Sequence, residues 1–298
     1  MEFLKTLENI RTPFLNILFE LVTRFGEETI AIAALCAIFW CVSKRIAYGI
    51  GIAYFLSGLT VQGMKIVFRI DRPWVADPSL NPVPSALDHA TGYSFPSGHT
   101  QSAAALLGAL GAQVKQMPVK AILFLFALLA AFSRMYLGVH TPLDFTVSLL
   151  ITLLFVFIAV KFFTSESIDK KKEFILALIM TLYAAAVIII AVVLFSGGTI
   201  EEKYLSDCLK AAGAAIGFSA GMFIEKIYIN FSVNAKNFLW QTIKFVLGIA
   251  GVLAIKEGLK IVTGTGLAAD TIRYFLMLMW MTVVFPLIIK RFFTASEK

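Results

Sequence analysis

Between residues 26 and 290 this chain passes through one apolar stretch after another, most of them close to the ~20 residues that an α-helix needs to cross a bilayer. A soluble domain keeps a wet face on its helices, and 298 residues do not enclose enough volume to hide runs of this kind from water. In hydrocarbon every backbone amide must be satisfied inside the segment, which makes these stretches helices. Composition agrees: 59% of the residues are hydrophobic and 15% charged, against about 45–50% and about 25% in soluble domains. The expected fold is an all-α, polytopic membrane helix bundle. Nine spans are predicted, at 26–43, 46–68, 97–114, 119–135, 141–162, 174–195, 206–226, 238–262 and 270–290, with 97–114 the least hydrophobic.

Residues 3–22 are too interrupted to span, with Lys5, Glu8, Arg11 and Glu20 among them and Pro13 in the middle. Their apolar positions recur at helical spacing, which predicts an amphipathic helix lying in the interface. Residues 1–12 have no apolar core of a signal peptide, so no cleavable signal is expected. The net charge of +7 does not argue for a nucleic-acid partner, because membrane proteins gather Lys and Arg in cytoplasmic loops. Cys36, Cys41 and Cys208 form no even-numbered disulfide framework.

The loops give the orientation. Lys44/Arg45, Lys115/Lys120, Lys161 with Lys170–Lys172, Lys226/Lys236 and Lys290/Arg291 fall on one side, which the positive-inside bias places in the cytoplasm. The long 69–96 loop then faces the extracytoplasmic side, and the plasma (inner) membrane is the expected location. A soft boundary at 165–173 divides a core, 1–165, from accessory C-terminal transmembrane helices, 166–298.

Three polar constellations converge on the outward face. Lys65 and Arg72 are seven apart, on one side of a helix that extended that far, and Arg134 ends the fourth span. Cations at membrane depth are expensive unless they line a wet cavity and meet an anion. Three together suit a tetrahedral, doubly charged group such as phosphate. Pro96-Ser97-Gly98 before the third span offers a cap hydroxyl, a close backbone and free amides for an anion.

Thr141-Pro142 reads as N-cap and N1 of the fifth span, which puts His140 just before the helix and Asp144 at N3. A carboxylate there fixes one imidazole nitrogen and leaves the other free to attack. His99 is placed to protonate a leaving oxygen. Each part alone has a plain structural explanation: a cap, a snorkelling cation, a histidine bound to a carbonyl. Their co-occurrence on one face does not. His89 reads as loop surface, and no ligand cluster beside the histidines supports a metal site.

These residues resemble the signature of the type 2 phosphatidic acid phosphatase (PAP2) superfamily, KxxxxxxRP, PSGH and SRxxxxxHxxxD. The chain has Lys65…Arg72-Pro73, Pro96-Ser97-Gly98-His99 and Ser133-Arg134…His140…Asp144. The resemblance implies a metal-independent phosphatase that needs no cofactor, works through a phosphohistidine and acts on a lipid phosphate or diphosphate. It makes His140 the nucleophile, Asp144 its orienting partner and His99 the general acid and later base. Lys65, Arg72 and Arg134, with Ser97 and the Gly98 amide, would hold the phosphoryl oxygens. A phosphotransferase using the same site, or a transporter or scaffold, are the rival readings.

Beyond Lys172 lie four further spans that the resemblance does not explain. Gly213, Gly217 and Gly221 form a small-residue face suited to close helix packing, against the chain's own core or as a homodimer seam. Lys256, Glu257, Lys260 and Arg273 are expected to pair with one another or to snorkel.

Overall fold

The computed structural model describes residues 1–88, 90–163, 169–264 and 266–293. His89 and residues 165–168 of the predicted boundary therefore lie outside the described residues. The helices are α1 (Glu2–Asn9), α2 (Pro13–Thr23), α3 (Glu28–Cys41), α4 (Lys44–Phe68), α5 (Pro73–Ala76), α6 (Gly98–Ala103), α7 (Ala109–Gln113) and α8 (Met117–Tyr136). They continue with α9 (Pro142–Phe163), α10 (Lys170–Ser196), α11 (Glu202–Ile224), α12 (Phe238–Leu253), α13 (Leu259–Thr263), α14 (Leu267–Met279) and α15 (Phe285–Phe292). π-turns at Ala104–Gly108, Ala254–Gly258 and Trp280–Val284 join α6 to α7, α12 to α13 and α14 to α15.

Among the described residues seven segments are long and apolar enough to cross a membrane: Lys44–Ala76, Met117–Tyr136, Pro142–Phe162, Lys170–Ser196, Glu202–Ile229, Phe238–Thr263 and Leu267–Phe292. The chain is an integral membrane protein. Two of the nine predicted spans are shorter than expected. Helix α3 has 14 residues, about 21 Å at 1.5 Å each against a ~30 Å hydrocarbon core. Ser43 ends that run by turning to cap α4, its Oγ accepting from the Ile46 amide at 3.3 Å. Residues 98–113 are broken into α6, a π-turn and α7. The amphipathic segment 3–22 is likewise two helices: Thr12 caps a new one through Leu15 N (3.2 Å), with Pro13 at N1 where its missing N–H costs nothing.

Apolar side chains remain outward on the long helices, among them Leu150, Leu154 and Phe157 on α9 and Leu182, Ile189 and Val193 on α10. Lipid, not water, suits such faces. Inside, α4 packs against α3, α9, α10 and α11. The glycine face of α11 is occupied within the chain: a Cβ at Gly213, Gly217 or Gly221 would strike Thr271 O, Phe275 O or Thr282 Oγ1 of the segment 267–284. Of the two readings of that face, packing against the chain's own core is the one these contacts match. Two of the polar residues after Lys172 pair outside the expected group, Arg273 with Asp270 and Lys256 Nζ with Thr29 Oγ1 at 3.3 Å.

Because the helices alternate in direction, the C-terminal ends of α4 and α8 and the N-terminal ends of α6, α9 and α11 meet at one end of the bundle. That end holds the polar constellations.

Candidate active site

The segment from Arg134 to Asp144 is a helix stop followed at once by a helix start. Helix α8 ends in a Schellman motif: Val139 N donates to Arg134 O and Gly138 N to Met135 O, both at 3.0 Å. Gly138 sits at φ +81°, where any side chain would be strained and a Cβ would lie 3.1 Å from Pro82 Cα. Two residues later Thr141 and Asp144 exchange capping bonds, Thr141 N to Asp144 Oδ2 at 2.8 Å and Asp144 N to Thr141 Oγ1 at 3.2 Å. His140 is held between the two motifs, almost fully buried at 2% exposure. Its Nδ1 lies 3.2 Å from Asp144 Oδ2.

The other imidazole nitrogen, Nε2, lies 2.9 Å from Arg72 Nη1. Since a guanidinium only donates, Nε2 carries the lone pair and Nδ1 the proton. Burial, and after it the charges of Arg72, Lys65 and Arg134, hold the His140 pKa well below the ordinary histidine range. The depressed pKa favours the neutral ring, with its lone pair on Nε2. The Asp144 carboxylate also accepts from Ser94 Oγ. Ser94 is a contributor that sequence reasoning missed, although it stands two residues before Pro96.

Lys65 and Arg72 arrive differently from expectation. Helix α4 stops at Phe68, where Arg69 takes a left-handed conformation (φ 51°), so Arg72 is not on the helix. The loop then doubles back. Arg72 Nε donates to Gly92 O at 2.7 Å and Nη1 to Val139 O at 3.0 Å, and Lys65 Nζ donates to Tyr93 O. Ser97 caps α6, accepting from Thr100 N at 3.3 Å.

A cavity of about 140 Å³ is lined by Lys65, Arg72, Gly98, His99 and His140. A Cβ added at Gly98 would meet no atom within 4 Å, so its backbone faces open space there. Ser97, Asp144 and Arg134 are not among its lining residues. Arg134 is buried with Nη1 3.4 Å from Thr23 Oγ1, and its Nε and Nη2 have no hydrogen-bond partner among the described residues. Unmet guanidinium donors beside a cationic cavity are suited to an anion's oxygens.

Two further wall residues, Tyr204 and Asp207, come from α11. Tyr204 stacks on Tyr93 with ring centroids 4.1 Å apart and planes 11° apart. The C-terminal helices, read from sequence as accessory, thus form part of the cavity. No local pattern in the sequence announced this.

Comparison with known proteins gives the family context. Residues 46–168 match the model of the PAP2 superfamily, and residues 209–297 match that of the "PAP2 superfamily phosphatase, transmembrane extension". A probable sphingosine-1-phosphate phosphatase of Dictyostelium discoideum is 27% identical over 163 residues, 49% of this chain and 38% of that protein. Undecaprenyl-diphosphatase BcrC of Bacillus subtilis is 31% identical over 108 residues, 36% of this chain and 53% of that protein. The chain thus spans about half or less of the length of these relatives. The crystal structure of Aquifex aeolicus LpxE is similar at a TM-score of 0.47 and 27% identity, covering 54% of this chain and 94% of that one.

Proposed function

The chain belongs to the PAP2 superfamily, and from that premise we propose that it is a membrane phosphatase hydrolysing a lipid phosphate through a phosphohistidine on His140. The observation that carries this is the imidazole held from both sides, Asp144 at Nδ1 and Arg72 at Nε2, at the wall of a cationic cavity.

On substrate binding, Arg72 moves its donor from Nε2 to a phosphoryl oxygen, which frees the lone pair. Nε2 attacks phosphorus, the bond to the leaving oxygen breaks, and His99 supplies that oxygen with a proton. The imidazolium keeps its Nδ1 proton on Asp144. A water then gives a proton to His99 and attacks phosphorus. The N–P bond breaks, phosphate leaves and His140 returns to its neutral form. Lys65, Arg72, Arg134 and the Gly98 amide stabilise charge on the phosphoryl oxygens.

The site lies at the end of the bundle away from the basic loops, so the proposed location is the outer leaflet of the plasma (inner) membrane. Isoprenoid diphosphate, phosphatidate, phosphatidylglycerophosphate and sphingoid phosphate are the candidate substrates. The named activities of the two relatives, on sphingosine-1-phosphate and undecaprenyl diphosphate, fall within that range.

The test is rapid-quench labelling with a ³²P-labelled long-chain alkyl phosphate in the presence of chelator. An acid-labile, alkali-stable phosphoenzyme is expected in the wild type and none in His140→Ala. Phosphate release by His140→Ala, or label on another residue, would overturn the assignment.

A further inference from the structure

A second chamber lies beside the first. This one, about 200 Å³, shares Gln62, Gly98 and Asp207 with the first. Its polar walls are Glu28 from the first turn of α3, Tyr54 from α4, Lys210 from α11 and Tyr274 from α14. Apolar residues such as Phe55 and Leu59 complete it. In the mechanism proposed above His99 protonates the leaving oxygen, so the leaving group lies on the α6 side. Gly98, on that side, lines both chambers.

The balance of charge differs between the chambers: Lys65 and Arg72 outnumber Asp207 in the first, while Glu28 and Asp207 outnumber Lys210 in the second. Glu28 and Asp207 present two carboxylates. The ammonium of Lys210 is already shared, 3.8 Å from Asp207 Oδ1 and 3.5 Å from Asp270 Oδ2. A second phosphate placed here would face like charge in a confined space. An alcohol with hydroxyl or ammonium donors, continuing into a chain along Phe55 and Leu59, would meet acceptors instead.

We propose that the second chamber receives the alcohol part of a phosphate monoester, and that Glu28 and Asp207 exclude a diphosphate. This rests on the phosphatase reading of the first chamber and narrows it. Half of the selecting apparatus, Asp207, belongs to the C-terminal helices, which gives them a direct part in substrate choice.

The experiment measures binding of dodecyl phosphate and dodecyl diphosphate, in detergent, to His140→Ala protein by calorimetry. No turnover is expected of that protein, so selection by the chamber is measured apart from catalysis. The monophosphate is expected to bind at least about tenfold tighter, and Asp207→Asn or Glu28→Gln, added to that background, to shrink the ratio by about fivefold. Equal or tighter binding of the diphosphate, or a ratio unmoved by both substitutions, overturns the proposal. Turnover by wild-type protein on the same two compounds separately tests the phosphatase reading.

Discussion

At one end of the bundle the Glu225 carboxylate meets Lys44 Nζ at 2.9 Å, the Phe231 amide at 3.2 Å and the Tyr48 phenol, while Lys226 meets Glu173 at 2.8 Å. At the other end Lys65, Arg72 and Arg134 gather with no salt-bridge partner among the described residues. Asp144, a carboxylate beside them, accepts from His140 Nδ1, Thr141 N and Ser94 Oγ. Both regions bury charge. The first balances two cations with two carboxylates, as a structural cluster must to offset desolvation. The second leaves an excess of positive charge on carbonyl oxygens and, at Arg134, on the Thr23 hydroxyl, with Nε and Nη2 unmet among the described residues. Such an excess is destabilising unless an anion completes it, which is what the proposed function supplies.

The largest effect is expected from His140→Ala, which should reduce phosphate release by about 10³-fold or more in a turnover assay while the protein still folds. A comparable loss from any change around Glu225 would erase the distinction between the two ends. The sharper contrast pairs one substitution from each. Arg134→Met should lower kcat/KM by roughly 10²–10³-fold, the scale of losing a donor to a transition-state oxyanion, and leave the melting temperature unchanged or higher. Glu225→Gln should do the opposite, costing about 1–3 kcal/mol of stability because Lys44 keeps Asn230 but loses its carboxylate, with kcat/KM intact. Melts of Arg134→Met that resemble those of Glu225→Gln would show that Arg134 is structural.

The His140 environment adds a pH signature of its own. With its pKa held well below 6.5 in the fold, His140 stays neutral while the unfolded chain takes up a proton near pH 6.5. Its contribution to stability is full above that pH and is lost as pH falls, by at most about 1.4 kcal/mol per unit, until the folded pKa is reached. Between pH 6.5 and 5 the wild-type melting temperature should therefore fall more steeply than that of His140→Asn. Parallel curves would mean that the imidazole is not kept neutral.

What could be read from the sequence was what is local. Thr141, Pro142 and Asp144 write a helix start within four residues, and Ser97 another, so the placement of His140 against Asp144 follows from spacing. The break at Arg69 was not legible, because a left-handed non-glycine residue leaves no compositional trace. Gly138 stands in the sequence without a sign of its role, and only the approach of Pro82, 56 positions away in sequence, shows how little room that corner has. The partner of the Gly213 face and the wall formed by Tyr204 and Asp207 depend on how helices pack across the whole chain. Periodicity within one helix cannot report that.

Tyr204 offers the smallest test, and one that bears on whether the two halves of the chain act together. Its ring lies flat on Tyr93, and the three residues 92–94 hold the site from outside: Gly92 O takes Arg72 Nε, Tyr93 O takes Lys65 Nζ and Ser94 Oγ reaches Asp144. A stacked pair contributes about 0.5–1.5 kcal/mol beyond area burial, so losing it should loosen this loop without unfolding the bundle. Tyr204→Ala is expected to lower kcat by up to about tenfold, with the melting temperature little changed, because α11 is anchored along its length on α4, α10 and α14. Tyr204→Phe keeps the ring and should restore the rate. Equal damage from Phe and Ala would instead assign the hydroxyl a direct contact with substrate. An Ala variant as fast as wild type would mean that the loop is held by the core alone.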